Sequence, residues 1–490
     1  MSPQLTIATP NGRVQGALEG RVRSWKGIPY AAPPVGEGRW RAPQPVVPWP
    51  GVRPTLAFGP DFPQAPSPLL RAGAMSEDCL YLNVWAPADA QPGSLPVMVW
   101  LHGGGFVGGS GADARCDGAK LAQQGVVVVT FNYRSGVFGY LAHPALSRES
   151  VQRTSGNYGL LDQLAALHWV REHIAAFGGD AARVTVFGVS AGSASIALLL
   201  TARAAEGLFQ RAILHSPGTA RPLATLADAE ALGATLGADI DALRALPAQQ
   251  LFALTPKLNP AVRGLTTPRV LRPIRDGWLI REDERPAFLG GRLHKMPLIV
   301  GTNRDEGSLL TRAWPVKDAA DNRALVEANF ARALDEAMAF YGAAHDHDAK
   351  ARIAEAFADT QFNYGARLLL RAMTQQRQRC WRYLFTRRRP GQTDGPHHGD
   401  EVGYVFGQLA AGRTAAPEPF DATDEAVSAA MMRTWVAFAH DGDPDTEGSA
   451  HWPAFEAGDE LHLEFGDTVR TGTDDRRAQL DFLERYYSSH

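Results

Sequence analysis

The chain has 490 residues, with 49 Lys+Arg against 52 Asp+Glu and a formal net charge of −3. This balance excludes the strongly basic composition of proteins that bind nucleic acid or anionic membrane surfaces through their net charge. The length suffices for a large hydrophobic core, in one large α/β domain or in several smaller ones.

The N-terminus and the cysteines favour a cytoplasmic location. Residues 1–10 lack the basic start and apolar core of a secretory signal, although earlier removal of such a signal is left open. The longest apolar runs, such as residues 125–131, are far shorter than the roughly 20 residues that span a membrane. Cys79, Cys116 and Cys380 lack metal-ligand spacing and are predicted to be reduced thiols. We therefore predict a cytoplasmic protein without metal, cofactor, membrane or nucleic-acid partner; the oligomeric state is left undetermined.

Short strands rich in Val and Ile alternate with helical patterns up to about residue 215. We predict strands at residues 97–101, 126–131, 184–187 and 212–214, and a helix at 161–177. Strands that are apolar on both faces and separated by helices are typical of a mainly parallel sheet covered by helices on both sides.

A glycine-rich turn, His102-Gly103-Gly104-Gly105-Phe106, follows the first of these strands. Consecutive glycines let backbone N–H groups turn towards an anion that develops during a reaction. The alternative, a phosphate-binding turn, lacks a G-x-G-x-x-G pattern or a Walker lysine. We therefore interpret this turn as part of an oxyanion hole, together with the N–H of Ala191.

The pentapeptide Gly188-Val189-Ser190-Ala191-Gly192 joins the 184–187 strand to a small-residue helix at 191–200. In this context a G-x-S-x-G sequence is a nucleophile elbow, since a Cβ at either glycine would collide with a neighbouring strand. The pattern predicts that Ser190 is the nucleophile of a serine hydrolase.

Two helical regions follow, at residues 223–254 and 318–377, with a further strand at 297–301 between them. No low-complexity linker separates these regions from the rest. We therefore predict one catalytic domain over 1–490, in which approximate regions 220–295 and 310–390 form a helical cap over the substrate cleft. Residues 430–440 and 478–487 are predicted closing helices.

A serine nucleophile needs a histidine base and an orienting acid. In this fold the acid follows the serine along the chain, and the histidine follows the acid. Asp305 and Glu306 come directly after the 297–301 strand, and local chemistry does not choose between them; Asp276 is interpreted as a turn residue. His397 and His398 lie in a Gly/Pro-flanked loop, and the residues alone leave that choice open as well.

Several long segments resemble the type-B carboxylesterases, the family of bacterial para-nitrobenzyl esterase, mammalian carboxylesterases and cholinesterases. The resemblance covers nearly the whole chain and is carried by residues 26–34, 77–85, 102–106, 132–134, 156–163, 177–180, 188–192, 305–307 and 438–444. It implies an α/β-hydrolase fold and a carboxylic ester hydrolase.

The resemblance also implies roles for individual residues. The family's acid is the Glu of its Asp-Glu-Gly motif, which is Glu306 here. Its histidine precedes Gly-x-Glu and a later Val-Phe-Gly, which matches His398. Its oxyanion donors correspond to Gly104, Gly105 and Ala191.

The sequence departs from the family pattern in three ways. Val189 replaces a common Glu, and residues 63–78 contain no aromatic side chain, which argues against choline esters. Phe62 stands where the family has the disulfide partner of Cys79, so that bridge is absent. Four arginines cluster in the predicted cap: Arg263, Arg269, Arg272 and Arg275.

Surface arginines are the simpler interpretation of this cluster. If they face the cleft instead, they would recognise carboxylates. We therefore predict an acyl-enzyme ester hydrolase for small to medium organic esters, including esters that carry free carboxylates. Amide or carbamate hydrolysis with the same triad is the alternative, and a non-catalytic interaction module is a more distant one.

Overall fold

A computed structural model describes residues 5–258, 264–411, 419–446, 450–473 and 475–488. Its frame is an 11-stranded sheet, with a separate three-stranded sheet formed near the N-terminus. The strands are β1 (Thr6–Thr9), β2 (Gly12–Gln15), β3 (Ala17–Glu19), β4 (Val22–Pro29), β5 (Val52–Pro54), β6 (Tyr81–Pro87), β7 (Leu95–Leu101), β8 (Val127–Phe131), β9 (Gly179–Val189), β10 (Arg211–His215), β11 (Leu298–Asn303), β12 (Cys380–Phe385), β13 (His462–Phe465) and β14 (Val469–Gly472).

The large sheet is parallel at its centre and antiparallel at its two ends. Its order is β14-β13-β12-β11-β10-β9-β7-β8-β6-β4-β3, and every neighbouring pair from β8 to β13 in that order is parallel. The remaining pairs of the described sheet are antiparallel. The prediction of a mainly parallel sheet is therefore confirmed. The antiparallel strands at the two ends of the sheet were not predicted.

Helices cover this sheet. They are α1 (Ala119–Ala122), α2 (Gly136–Tyr140), α3 (Pro144–Glu149), α4 (Tyr158–His173), α5 (Ala191–Leu199), α6 (Leu226–Gly233), α7 (Ile240–Ala245), α8 (Ala248–Phe252), α9 (Thr255–Leu258), α10 (Glu284–Leu289), α11 (Ser308–Thr311), α12 (Ala319–Phe330), α13 (Leu334–Tyr341), α14 (Ala349–Ala358), α15 (Tyr364–Gln375), α16 (Glu401–Val405), α17 (Ala422–Asp441) and α18 (Arg477–Ser488). A π-helical turn, Asp359–Asn363, joins α14 to α15.

Two hydrophobic cores form because alternate residues of one strand point to opposite faces of a sheet. On β7, Val97 and Val99 belong to one core, whereas Met98 and Trp100 belong to the other. Residues of α4 and α5 fill the first core, and residues of α1 and α17 fill the second. The sheet is thus buried on both faces, as the apolar strands predict.

The predicted elements up to residue 215 are confirmed within a few residues. The 161–177 helix is α4 with a 3-10 turn, Ile174–Phe177. The 430–440 helix begins earlier than predicted, because Asp421 caps the first turn of α17 in a capping box with Asp424. Strand β12 was not predicted from the sequence, because Arg382 interrupts its apolar run. The whole strand is nevertheless buried.

Each of the two predicted cap regions contains several helices. Helices α6 to α10 lie within 220–295, and α12 to α15 lie within 310–390. Residues of α7 and α8 pack in one hydrophobic cluster with Phe106 of the glycine turn. Their interpretation as a cap stays a prediction.

A buried ion pair connects the segment after β8 to α4. The Arg134 guanidinium donates two hydrogen bonds to Asp162, of 2.7 and 2.8 Å, and the Arg134 backbone N–H donates a third, of 3.0 Å. Both side chains are buried. Removal of the carboxylate would leave an uncompensated cation in the core, which is far more costly than loss of an exposed pair.

We therefore expect Asp162→Ala to lower the free energy of unfolding by about 3–5 kcal/mol. Glu37→Ala is the matched control, because Glu37 pairs with Arg41 at 3.5 Å on an exposed surface, where such a pair contributes about 0–1 kcal/mol. Guanidinium denaturation of both variants measures the difference. Equal stability of the two variants would contradict the role assigned to this pair.

Among the described residues, no helix is both long and apolar enough to cross a bilayer. Cys79, Cys116 and Cys380 are unbridged and buried. Phe62 is fully buried, and its ring stacks on His102 at a centroid distance of 6.2 Å.

Candidate active site

Ser190 lies at the sharp turn between β9 and α5. Its backbone has φ 57° and ψ −116°, a strained conformation for a residue other than glycine. The Ser190 N–H donates to the His215 carbonyl at the end of β10, at 2.9 Å. The carbonyl of Ser190 accepts from the Ala194 N–H, at 2.8 Å. Bonds on both sides therefore hold the strained residue at the carboxyl edge of the sheet.

The glycines that flank this turn are required by close packing. A Cβ at Gly188 would lie 2.7 Å from the Leu101 carbonyl oxygen, and a Cβ at Gly192 would lie 2.0 Å from the same atom. Both distances are too short for any side chain. The predicted collision with a neighbouring strand is confirmed, and that strand is β7.

The glycine turn after β7 packs directly against the elbow. A Cβ at Gly103 would lie 2.9 Å from the Val189 carbonyl oxygen and 3.2 Å from the Ser190 Cβ. Gly104 and Gly105 have φ of 122° and 64°, which glycine adopts without strain. All three predicted oxyanion donors line one cleft with Ser190: Gly104, Gly105 and Ala191.

A neutral, stacked histidine anchors the start of the glycine turn. Burial lowers the pKa of His102 to about 4, so its ring carries no charge near neutral pH. This ring stacks on Tyr133 at a centroid distance of 4.1 Å, and the Tyr133 hydroxyl donates to the His102 carbonyl at 2.7 Å. The turn therefore has a defined position relative to Ser190.

Glu306 and His398 meet across 92 residues of chain. The distance between His398 Nδ1 and Glu306 Oε2 is 2.5 Å. The other carboxylate oxygen, Oε1, accepts from the Ser216 hydroxyl at 2.5 Å and from the Asn303 N–H at 2.6 Å. The Glu306 carboxyl group is therefore fixed from three sides, by His398, Ser216 and Asn303.

The other nitrogen of His398 faces the cleft. Because Nδ1 donates to the carboxylate, a neutral ring carries its lone pair on Nε2. This buried atom has no hydrogen-bond partner among the described residues. The ring stacks on Phe362 at a centroid distance of 4.4 Å, and His398 and Ser190 line the same cleft. The histidine is thus oriented by an acid and has an available lone pair.

The two neighbouring candidates belong to a different cluster. Asp305 accepts from the Ser308 N–H at 3.0 Å, as a turn-capping residue does. His397 Nε2 lies 3.2 Å from Asp394 and 3.9 Å from Asp305. A hydrogen bond to Asp400 raises the pKa of His397 despite the opposing effect of burial. The three acids therefore stabilise a charged His397 away from Glu306.

Asp276 behaves as a turn residue, as its sequence context predicts. One of its carboxylate oxygens accepts from the backbone N–H groups of Leu279 and Ile280, both at 2.9 Å.

Three residues around the acid and the histidine were not anticipated from the sequence. Ser216 donates to Glu306, and Asn303 donates to Glu401 at 2.5 Å and to the His397 carbonyl at 2.7 Å. Asn303 thus connects the strand that leads to Glu306 with the loop that carries His398. Burial raises the pKa of Glu401, but the neighbouring His215 and the hydrogen bond from Asn303 outweigh that effect and lower the pKa. Of these three residues, only Glu401 could have been predicted from the sequence, because it belongs to the Gly-x-Glu motif.

The cleft around Ser190 has a volume of about 400 Å³, within the range of small-molecule sites. Its apolar wall includes Leu310, Phe357 and Phe362. Val189 also lines it, in place of the acid that the family pattern commonly has.

The arginine cluster is divided by the fold. Arg269 and Arg272 line the cleft, whereas Arg275 is absent from its lining and lies 3.6 Å from Asp283. Arg263 lies outside the described residues. Arg221, which sequence reasoning did not single out, joins the first two in the cleft wall.

Comparisons with known proteins show what the whole chain is similar to. Residues 3–483 match the model of the carboxylesterase family. The chain is 46% identical over 477 residues to the fumonisin B1 esterase of Sphingopyxis macrogoltabida, an alignment that covers 96% of this chain and 88% of that protein. It is 37% identical to the para-nitrobenzyl esterase of Bacillus subtilis strain 168, with 97% and 98% covered. A solved PNB esterase matches with a TM-score of 0.86 at 35% identity, over 97% of this chain and 98% of that one. The predicted α/β-hydrolase fold is confirmed by this likeness.

Proposed function

This chain belongs to the carboxylesterase family and is a serine ester hydrolase, and we propose that Ser190, His398 and Glu306 are its catalytic triad. The observation that carries this proposal is the hydrogen bond between Glu306 and His398, since His398 lines the same cleft as Ser190. A serine hydroxyl becomes an effective nucleophile when an oriented imidazole takes its proton.

The first step acylates the enzyme. Ser190 Oγ bonds to the ester carbonyl carbon while His398 Nε2 takes the hydroxyl proton, and the carbonyl electron pair moves to oxygen. Donors at Gly104, Gly105 and Ala191 stabilise this oxyanion. When the tetrahedral intermediate collapses, the bond to the alcohol oxygen breaks and His398 protonates the departing alcohol.

The second step releases the acid. Water, deprotonated by His398, adds to the acyl carbon, and a second oxyanion forms in the same position. Its collapse breaks the bond to Ser190 Oγ, which regains a proton from His398. Glu306 remains ionised throughout and keeps the imidazole in the tautomer with a proton on Nδ1.

Two features support the oxyanion assignment. Ala191 is the first residue of α5, and the first N–H groups of a helix have no acceptor within that helix. The positive φ values of Gly104 and Gly105 form a tight turn beside Ser190, which suits backbone donors rather than side chains.

The proposed substrates are small to medium organic esters. The name of the 46%-identical relative makes fumonisin B1 the first natural candidate to assay. A panel of matched ester, carbamate and amide substrates distinguishes ester hydrolysis from the alternative reactions, and we expect the ester to be turned over fastest.

The helical regions 220–295 and 310–390 are proposed to cap this cleft within one catalytic domain over 1–490. In support, Arg269 and Arg272 of the first region and Phe357 and Phe362 of the second region line the cleft. A cytoplasmic location also stays a prediction, supported by three unbridged and buried cysteines.

A fluorophosphonate probe tests the proposed nucleophile. Attack by Ser190 Oγ on phosphorus expels fluoride and leaves a stable covalent adduct. We expect one adduct per chain, found by mass spectrometry on the peptide that contains Ser190, and slower labelling in the presence of an ester substrate. Labelling of a different serine at the same rate would overturn the assignment.

A further inference from the structure

Besides Arg115, three arginines among the described residues line the cleft with Ser190. Arg221 comes from the loop after β10, and Arg269 and Arg272 come from the segment that precedes α10. Arg221 and Arg272 are only 4% and 7% exposed, so their charges lie within the cleft wall rather than on the outer surface. Arginines placed in a concave site raise the local concentration of anions.

The lining of the cleft also contains an ion pair. Asp113 is the acid among the described residues that line the cleft, and its carboxylate already pairs with Arg115 at 2.7 Å. The lining therefore contains three guanidinium groups in addition to that pair.

A buried carboxylate fixes part of this arrangement from outside the lining. Glu284 accepts from the Thr219 hydroxyl at 2.5 Å and from the Ala220 N–H at 3.0 Å. Burial raises the pKa of Glu284 to about 7, and the charge of Arg272 opposes that rise. Glu284 therefore holds the loop that carries Arg221 and lies close enough to Arg272 to orient its charge.

Arg272 connects this loop to the proposed oxyanion turn. Its guanidinium lies over the Phe106 ring, 5.3 Å from the centroid, and donates to the Gly218 carbonyl at 3.3 Å. Phe106 directly follows Gly105. Arg272 thus packs against the residue that follows the proposed oxyanion donors.

We propose that Arg221, Arg269 and Arg272 form a carboxylate-binding subsite, and that the preferred substrates are esters that carry at least one free carboxylate. Guanidinium groups bind carboxylates through paired, charge-assisted hydrogen bonds, which neutral esters cannot form. This subsite rests on the proposed function, since it positions an ester for attack by Ser190.

The test compares anionic esters with neutral isosteres. In the acyl arm, 4-nitrophenyl hemiadipate is compared with 4-nitrophenyl 6-methylheptanoate. In the alcohol arm, 4-acetoxybenzoate is compared with 4-isopropylphenyl acetate. We expect kcat/KM to be at least about tenfold higher for the anionic ester in one arm, which also identifies the half of the substrate that meets the arginines.

Arginine variants connect that preference to the subsite. Arg269→Gln and Arg272→Gln should each lower the anionic-to-neutral ratio of kcat/KM by about tenfold. Arg281→Gln should not change the ratio, because Arg281 is exposed and absent from the cleft lining. Arg269→Gln keeps the test decisive if Arg272→Gln fails to fold, since Arg269 is only partly buried.

Inhibition by free adipate gives a second readout. Adipate should compete with neutral ester hydrolysis in the wild type, and its inhibition constant should rise by about tenfold in either cleft variant. Neutral ester turnover without anionic preference in either arm would overturn the subsite but not the triad. If the wild-type protein hydrolysed none of these esters, the proposed triad would be overturned as well.

Discussion

Ser190→Ala is expected to reduce kcat for a chromogenic ester by about 10⁶-fold, the loss typical when a serine hydrolase loses its nucleophile. The reason is that no other oxygen can replace Oγ at this turn. Ser190 is held there by the backbone bond to His215 and by the packing of Gly188 and Gly192 against Leu101. Steady-state hydrolysis of 4-nitrophenyl acetate measures the effect.

The fold should survive this substitution, because the Ser190 side chain contributes little to packing at the open cleft. Ser193→Ala is a matched control three residues further along α5. The Ser193 hydroxyl is buried without a hydrogen-bond partner among the described residues, and Ser193 is absent from the cleft lining. We expect near wild-type turnover and an unchanged melting temperature for the control. Substantial turnover by Ser190→Ala would reject the mechanism.

The second large effect is expected at one of two adjacent histidines. His398→Ala should lower kcat by about 10⁵- to 10⁶-fold, because it removes the proposed general base. His397→Ala should lower it by no more than about tenfold, because His397 contacts Asp394, Asp400 and Asp305 rather than the reacting groups. The two substitutions change the same side chain in the same loop and differ by one position.

The ratio of the two rate losses is the decisive quantity. If both variants lose activity equally, the loop as a whole, rather than the His398 imidazole, limits turnover. Exogenous imidazole provides a further check, since it can occupy the volume left in His398→Ala and partly restore proton transfer. No restoration is expected in Ser190→Ala, because a base cannot replace the missing nucleophile.

Local sequence was sufficient for the elbow and the glycine turn. A strand that turns within one residue into a helix requires small neighbours and a strained central residue. The five consecutive residues 188–192 meet both requirements. The glycine turn is similar, because Gly104 and Gly105 meet a conformational demand that adjacent residues impose. Both features were therefore predicted before any long-range contact was known.

Adjacent residues could not be separated in this way. Asp305 and Glu306 have the same functional group at consecutive positions, as do His397 and His398, and local patterns leave both choices open. Family resemblance indicated Glu306 and His398. The tertiary structure places these two in contact and gives their neighbours to a separate cluster.

By itself, the sequence determined the α/β architecture, the nucleophile turn and the glycine turn, because these depend on hydrophobic periodicity and on steric limits within a few residues. Only the tertiary structure decided which arginines face the cleft, that Ser216 and Asn303 support the acid, and that β12 lies inside the sheet. These outcomes depend on which distant segments pack together. That packing depends on the whole chain, so the residues of one segment do not predict which distant segment it will contact.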